Sequence, residues 1–213
     1  MLILQASTVY CIEVEATFFQ RHPVLKDTLG AILFVICVIL GTVFINSFVF
    51  RSFNVIGPSM ETTLYTDDRL IVNRLPITWS QIKNENYTPE RGEIIVFKNP
   101  RYSAGAGDEY IVKRVVAFPG EHVVLQNGKM TVYNGAYPAG LDTDKLFFGE
   151  YAAMNSSGEV DMIVPAGELF VVGDHREGSY SHDSRNGLGT VPFYDVVGPV
   201  VMRIFPFTAV RTF

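Results

Sequence analysis

The sequence predicts a mainly β protein: an N-terminal transmembrane α-helix followed by an all-β domain of many short antiparallel strands. Three observations predict it. Thr28 to Phe50, TLGAILFVICVILGTVFINSFVF, runs 23 positions without a charged residue. As an α-helix rising ~1.5 Å per residue it spans ~34 Å, enough for a hydrocarbon core of ~30 Å. Beyond it, segments rich in β-branched residues recur between turn residues. Among them, Val123 to Gln126 and Lys129 to Tyr133 flank Asn127-Gly128, which supplies the positive φ angles of a tight hairpin turn.

The apolar run exceeds the ~7–15 residues of a signal-peptide core and ends in Phe48-Val49-Phe50-Arg51 rather than at a small-residue site, so it reads as an uncleaved anchor. Arg21 and Lys26 precede it and only Arg51 closely follows. The positive-inside rule then favours a single pass with a cytoplasmic N-terminus and an exported C-terminal domain. The expected organisation is a cytoplasmic segment over 1–27, the membrane helix over 28–50 and a β domain over 51–213.

Further strands are expected at Leu70 to Val72, Glu93 to Phe97, Tyr110 to Ala117, Glu168 to Val172 and Val196 to Phe205. No amphipathic helix is read after residue 51. The less regular stretch 138–162, with its Asn155-Ser156-Ser157-Gly158 turn, is expected to be an insertion or second lobe. The 213 residues carry a net charge of -5, so no nucleic-acid partner is indicated. The two cysteines, Cys11 and Cys37, both precede the β domain, which must be held by its core.

Three segments can carry chemistry. In Gly57-Pro58-Ser59-Met60, Ser59 sits in a turn that can expose its hydroxyl and aim backbone N–H groups at an oxyanion; it can equally be a plain turn residue. On the strand around Tyr110-Ile111-Val112-Lys113-Arg114-Val115, alternation puts Lys113 on the face of Ile111 and Val115. A lysine there is poorly solvated as a cation, and a neutral amine can take a proton from a serine hydroxyl. The competing reading is an edge lysine that snorkels to water. The third segment, Gly173 to Gly187, runs from a hydrophobic strand into a polar loop. Asp183 and Arg185 are placed to pair there, and Ser181 is a small residue that can meet a buried amine; an ordinary solvated loop is the alternative.

Taken in order, these segments resemble the signature boxes of type I signal peptidases: Gly-x-Ser-Met followed by Thr-Leu, a strand ending Lys113-Arg114 with Pro119-Gly120 beyond it, and Gly173-Asp174-x-Arg176 leading to Ser181-x-Asp183-Ser184-Arg185. Arg91-Gly92-Glu93-Ile94-Ile95-Val96-Phe97 is similar to the remaining box. The resemblance covers roughly Val55 to Pro192. It implies a Ser59 nucleophile, a Lys113 general base, and Ser181 as the serine that orients the lysine amine, with Asp183 and Arg185 supporting it. The Ser59 backbone N–H would form the oxyanion hole. Gly57 stands where some relatives place a second, hydroxyl donor. Thr62 replaces a usual proline, and His175 a usual asparagine. Two extra residues precede Ser181, which leaves Ser179 as its rival.

The implied activity is that of a serine endopeptidase removing signal peptides from exported precursors after small residues, Ala-x-Ala in type, at the plasma (inner) membrane. The implied partners are those precursors and the lipid bilayer. Ser/Lys chemistry needs no metal and no organic cofactor. The chain geometry agrees: Ser59 lies nine residues beyond Phe50, a link of at most ~30 Å at ~3.3–3.6 Å per residue, so the hydroxyl stays near the bilayer surface. Three other readings compete. A Ser-His-Asp hydrolase would use His175 or His182 with Asp183, but no Gly-x-Ser-x-Gly elbow is present. A self-cleaving Ser/Lys repressor would carry a DNA-binding module in place of an anchor. A membrane-tethered binding domain would make both the Ser59 and the Lys113 contexts coincidental. Nothing in the sequence sets the oligomeric state.

Overall fold

A computed structural model describes residues 23–103, 109–149 and 155–213. The expected cytoplasmic segment 1–27 thus lies outside the described residues as far as residue 22, Cys11 included, as do residues 150–154 of the expected insertion. The chain divides into two compact units between Val43 and Phe44. Helix α1, Pro23–Phe44, supplies the described part of the first as far as Val43. It widens into a π turn over Ile45–Val49. The apolar stretch Asp27–Val49 is long enough to cross a membrane, and none of it is buried in the protein. The Thr28 and Thr42 hydroxyls donate to the carbonyls of Val24 and Val38, each at 2.8 Å, so these polar groups are satisfied locally, as an apolar solvent demands.

The second unit is built on β-sheets, as its β-branched runs predict. Its strands are β1 (Phe50–Asn54), β2 (Arg69–Asn73), β3 (Ile94–Lys98), β4 (Tyr110–Ala117), β5 (His122–Gln126), β6 (Lys129–Tyr133), β7 (Leu141–Asp142), β8 (Val160–Ile163), β9 (Glu168–Val172), β10 (Val191–Pro192), β11 (Val196–Phe205) and β12 (Arg211–Thr212). The larger sheet has the order β1-β2-β11-β3-β4-β9-β10, with β12 on β11; the smaller is β7-β6-β5-β8. All pairings are antiparallel.

Strand β3 shows why the runs read as they do. Ile94 and Val96 enter one core cluster with Met60, Leu64 and Val72, while Ile95 and Phe97 enter another with Val115, Val171 and Val191. Both faces are covered, so the run is apolar without alternation. In the small sheet the alternation is clean. Val123, Leu125, Met130 and Val132 face a third cluster shared with Val116, Phe170 and Val172 of β4 and β9. The hairpin turn forms at Asn127 and Gly128, with φ of 53° and 76°. Within 138–162, β7 and β8 complete this small sheet.

Among its described residues the β domain also holds two short α-helices that the sequence reading does not anticipate: α2, Leu75–Lys83, and α3, Thr143–Phe148. Pro76 opens α2 and Asn84, with φ of 56°, closes it in the left-handed conformation. Only Ile77 of α2 is buried, so no inward apolar stripe announces the helix. In α3 the Asp142 side chain caps the first turn by accepting from the Lys145 N–H at 3.1 Å.

Helix α3 also plants Asp144 against Arg176, Nη1 to Oδ1 at 2.5 Å, in the interior. Burial pushes the Asp144 carboxyl up and the Arg176 guanidinium down, each against the partner's opposing charge. Arg176 Nε, Arg176 Nη2 and Asp144 Oδ2 have no hydrogen-bond partner among the described residues. Such a pair fixes a position rather than adding net stability. We expect Arg176→Ala or Asp144→Ala alone to cost about 3–5 kcal/mol, and Arg176→Met with Asp144→Leu to recover most of that loss. Denaturant unfolding of the detergent-solubilised protein measures it; a double variant as unstable as the singles would contradict this view.

Candidate active site

Ser59 lies on the connection between β1 and β2. That connection is pinned by Val55, Met60 and Leu64, all buried, and by paired main-chain bonds, Val55 N–H to the Asp68 carbonyl and Asp67 N–H to the Val55 carbonyl, at 2.9 and 3.0 Å. The Glu61 N–H closes a turn on the Pro58 carbonyl at 3.0 Å, and the Leu64 N–H closes a wider one on Met60 at 2.9 Å. The apolar side chains point down, so the serine between them is presented at the surface of the core.

Lys113 comes from β4, opposite Ile95 of β3. It is 3% exposed. Its Nζ donates to Ser59 Oγ at 2.7 Å and to its neighbour's carbonyl, Val112, at 2.9 Å. The competing view of a lysine snorkelling to water is therefore not what the fold does with it. Strand alternation sends Arg114 the other way. There it forms a forked pair with Asp174, Nε to Oδ1 at 2.8 Å and Nη2 to Oδ2 at 2.5 Å, and donates to the Gly92 carbonyl at 2.7 Å.

The loop after β9 brings the third segment in. Gly173 passes so close to the Ser59 turn that a Cβ there would collide with Ser181 Oγ and the Ser59 carbonyl oxygen. The next residues grip the turn: the His175 N–H donates to the Ser59 carbonyl at 3.1 Å, and His175 Nδ1 lies 3.2 Å from the Pro58 carbonyl. The His175 ring stacks on Tyr180 with centroids 4.5 Å apart.

Asp183 is the hub of this loop. Fully buried, it takes a bidentate fork from Arg185, at 3.0 and 2.9 Å, with the Gly173 N–H at 3.0 Å and the Ser181 hydroxyl at 2.5 Å. Burial alone would raise its carboxyl. The Arg185 hydrogen bonds and charge, with the Ser181 hydroxyl and the Gly173 amide, outweigh that and hold it below the usual carboxylate range. Arg185 also donates to the Arg176 carbonyl at 2.7 Å. Ser181 is buried, whereas its rival Ser179 is exposed.

Ser59 and Lys113 open into a cavity of about 520 Å³ whose walls include Phe53, Val55, Ile56, Val96, Tyr110 and Ile111, with Tyr180 and His182 also lining it. An amine and a hydroxyl in contact, at the edge of an open cavity, can exchange a proton and attack a bound carbonyl. Among the described residues no His/Cys/Asp/Glu group has metal-site spacing.

The structure thus brings together every residue singled out from the sequence: Ser59 and Lys113 in direct contact, and Ser181, Asp183 and Arg185 in one network beside them. Sequence reasoning missed the Arg114–Asp174 fork and the grip of His175 on the turn. Arg114 and Asp174 lie in the quoted boxes, but their pairing spans 60 positions and has no local signal. Among the described residues no histidine forms a triad with Ser59: His175 faces the Pro58 carbonyl, and His182 is exposed.

Comparison with known proteins gives consistent matches. Residues 25–205 match the sequence model of the family described as signal peptidase, peptidase S26. A signal peptidase I P from Bacillus subtilis subsp. natto is 32% identical over 200 residues, covering 92% of this chain and 97% of its own. A protein named inactive signal peptidase IA from Staphylococcus aureus (strain Mu50 / ATCC 700699) is 25% identical over 185 residues, covering 86% and 95%. The crystal structure of a signal peptidase I from Enterococcus faecalis is 27% identical and covers 53% of this chain and 96% of its own, with a TM-score of 0.40.

Because the Asp183 carboxyl titrates lower folded than unfolded, its contribution to stability is complete above the ordinary value of ~3.9 and is lost as pH falls through the depressed one. Asp183→Asn is expected to lower the unfolding temperature at neutral pH and to flatten its fall in acid. Thermal unfolding from neutral pH into acid, compared with wild type, checks this; parallel curves would contradict it.

Proposed function

The chain belongs to the type I signal peptidase family, serine endopeptidases that remove signal peptides, and we propose that it does so with Ser59 as nucleophile and Lys113 as general base, cleaving after small residues of the Ala-x-Ala type. The observation that carries this is the 2.7 Å contact between Lys113 Nζ and Ser59 Oγ on an amine that is 3% exposed. Burial disfavours the ammonium form, and a neutral amine offers a lone pair to the serine proton.

In the proposed reaction Ser59 Oγ attacks the scissile carbonyl carbon as its proton passes to Lys113 Nζ. The carbonyl oxygen becomes an oxyanion facing the Ser59 N–H, which has no hydrogen-bond partner among the described residues. Lys113 gives its proton to the leaving amine, and the C–N bond breaks to leave an acyl ester on Ser59. Water then attacks the ester, passing a proton through Lys113 back to Ser59 Oγ, and the signal peptide leaves with a new carboxylate. Every proton in this sequence moves among Ser59, Lys113, water and substrate.

Ser181 fits the role of orienting the amine. Its proton is committed to Asp183, so its oxygen keeps lone pairs that can accept from Lys113. The forked Arg185–Asp183 pair fixes that hydroxyl in turn. The aliphatic part of the cavity wall, with Val55, Ile56, Val96 and Ile111, suits small aliphatic side chains of an extended substrate. The anchor and the charges flanking it support a plasma-membrane protein with a cytoplasmic N-terminus and the β domain outside.

Incubation of the solubilised protein with a signal-peptide-bearing precursor, followed by N-terminal mapping of the product, tests this. Ser59→Ala and Lys113→Ala are each expected to reduce turnover by more than about a thousandfold. Lys113→Arg is expected to be as inactive, because guanidinium stays protonated. A Ser59→Ala protein that cleaves like wild type would overturn the assignment, and an inert wild type would place the chain with the inactive relatives.

His175 is proposed as a positioning residue for the nucleophile turn. His175→Ala is expected to lower kcat about tenfold with little change in KM, a geometric loss rather than a binding loss. His175→Asn, whose amide can still donate to the Pro58 carbonyl, should restore most of it. His175→Phe, which keeps only the stack on Tyr180, should not. Steady-state kinetics on the four proteins decide, and a fully active Phe variant would count against the hydrogen bond.

A further inference from the structure

The cavity that holds Ser59 and Lys113 has a charged side as well as an aliphatic one. No aspartate or glutamate lines it, and Arg101 is the arginine that does. Arg101, Tyr180 and His182 are all exposed, within reach of an incoming chain. In the proposed mechanism Lys113 acts as a neutral amine, which leaves the Arg101 guanidinium as the permanent charge of this hollow. Among the described residues no carboxylate pairs with it. A cation in a concave site, with no acid to balance it, concentrates positive potential where the substrate enters.

Arg101 is held in place rather than left on a free tether. It lies just beyond the end of β3, where the Asn99 side chain accepts from the Arg101 N–H at 2.9 Å and the Asn99 carbonyl accepts from the Tyr102 N–H at 3.0 Å. Its Nε donates to the Leu188 carbonyl at 3.1 Å. Leu188 belongs to the loop after β9 that also carries Ser181 and Asp183, so the guanidinium is tied to the loop that flanks the Lys113 amine. Among the described residues neither Nη1 nor Nη2 makes a hydrogen bond. Both are left to donate side by side, the geometry that takes a carboxylate through two bonds. The Arg101 turn follows Lys98, which pairs with Tyr110, three positions before Lys113 on β4. At ~3.4 Å per residue that turn begins ~10 Å from the reacting groups, the span of about three residues of an extended substrate.

We propose that Arg101 determines specificity by binding an acidic side chain of the precursor, within the first few residues after the scissile bond. The proposal rests on the Ser59–Lys113 reading of this cavity and deepens it by naming a class of substrate residue. The acid belongs to the mature segment on chemical grounds. A signal peptide consists of a basic start, an apolar core and a small-residue cleavage site, and none of these supplies a carboxylate. The residues that follow the cleavage site carry no such restriction, and they are the nearest part of a precursor with room for one.

The test uses the full-length protein in detergent and a precursor series identical except at one residue. Asp, Asn or Lys is placed in turn at each of the first positions after the scissile bond and, in a second set, at positions before it other than the small cleavage-site residues. For at least one position after the bond, kcat/KM is expected to be about fivefold higher with Asp than with Asn, and lower again with Lys. The preference should shrink as salt is raised. Arg101→Gln, whose amide can still donate to Leu188, is expected to erase the preference while cleaving the Asn precursor within about twofold of wild type. Arg101→Glu is expected to reverse it in favour of Lys, which a purely structural role for Arg101 does not produce. An Asp preference that survives in Arg101→Gln overturns the proposal, as does the absence of any charge preference after the bond. A preference tied to residue 101 but confined to positions before the bond overturns the placement on the mature segment. An Arg101→Gln protein that slows every precursor alike makes Arg101 a loop support and overturns it too. A wild type that cleaves none of the series overturns the proposal through its premise, which separates failure of the active-site reading from failure of this assignment.

Discussion

A lysine amine held 2.7 Å from a serine hydroxyl, almost shut off from water, is the constraint around which the rest of this domain is arranged. Neither group is unusual alone. Their contact requires a strand residue and a turn residue 54 positions apart to meet with little room for error. A fold can do that only if each is held on a rigid support. Strand β4 is central in the large sheet, bonded to β3 on one side and β9 on the other. The serine turn is nailed to the core by Val55, Met60 and Leu64 on either side of it.

Charge is used in this structure as scaffolding around that contact. Arg114–Asp174, Arg185–Asp183 and Arg176–Asp144 are three well-buried ion pairs: the first ties β4 and the last ties α3 to the loop after β9, while Arg185–Asp183 closes that loop on itself. Arg114 comes from the strand that carries Lys113, so one strand delivers the buried amine on one face and a loop anchor on the other. Arg185 reaches from Asp183 to the Arg176 carbonyl, and Arg176 reaches on to α3 at the edge of the small sheet. Buried pairs of this kind add little net stability against apolar alternatives. What they supply is a unique geometry, and the Ser181 and Gly173 contacts at the hub show where it is spent.

The strands were legible in the sequence where burial and β-branching coincide. Tyr110 to Ala117 and Val196 to Phe205 are read to the residue, because both are long, apolar and bounded by turn residues. The Asn127-Gly128 hairpin was legible because only positive φ angles satisfy that turn. Helix α2 was not. Its apolar face looks outward, so its pattern has no core to match, and Ile77 and Thr78 favour strand as much as helix. The candidate site was legible as residue types in order, and the choice between Ser179 and Ser181 was not, since it depends on which side chain the loop buries. The long-range partners, Asp174 for Arg114 and Asp144 for Arg176, leave no local trace; they exist only once β4, β9 and α3 are packed.

The central claim is that the amine at position 113 acts in its neutral form on the hydroxyl at position 59. The dependence of kcat/KM on pH for one precursor, with all four histidines replaced, measures this most directly. The account predicts a rate that climbs with pH across the range from about 5 to 9, as one amine gives up its proton, and that is unchanged by the loss of the histidine rings apart from the drop assigned to His175. A flat profile over that range, or one that vanishes with the histidines, would contradict it.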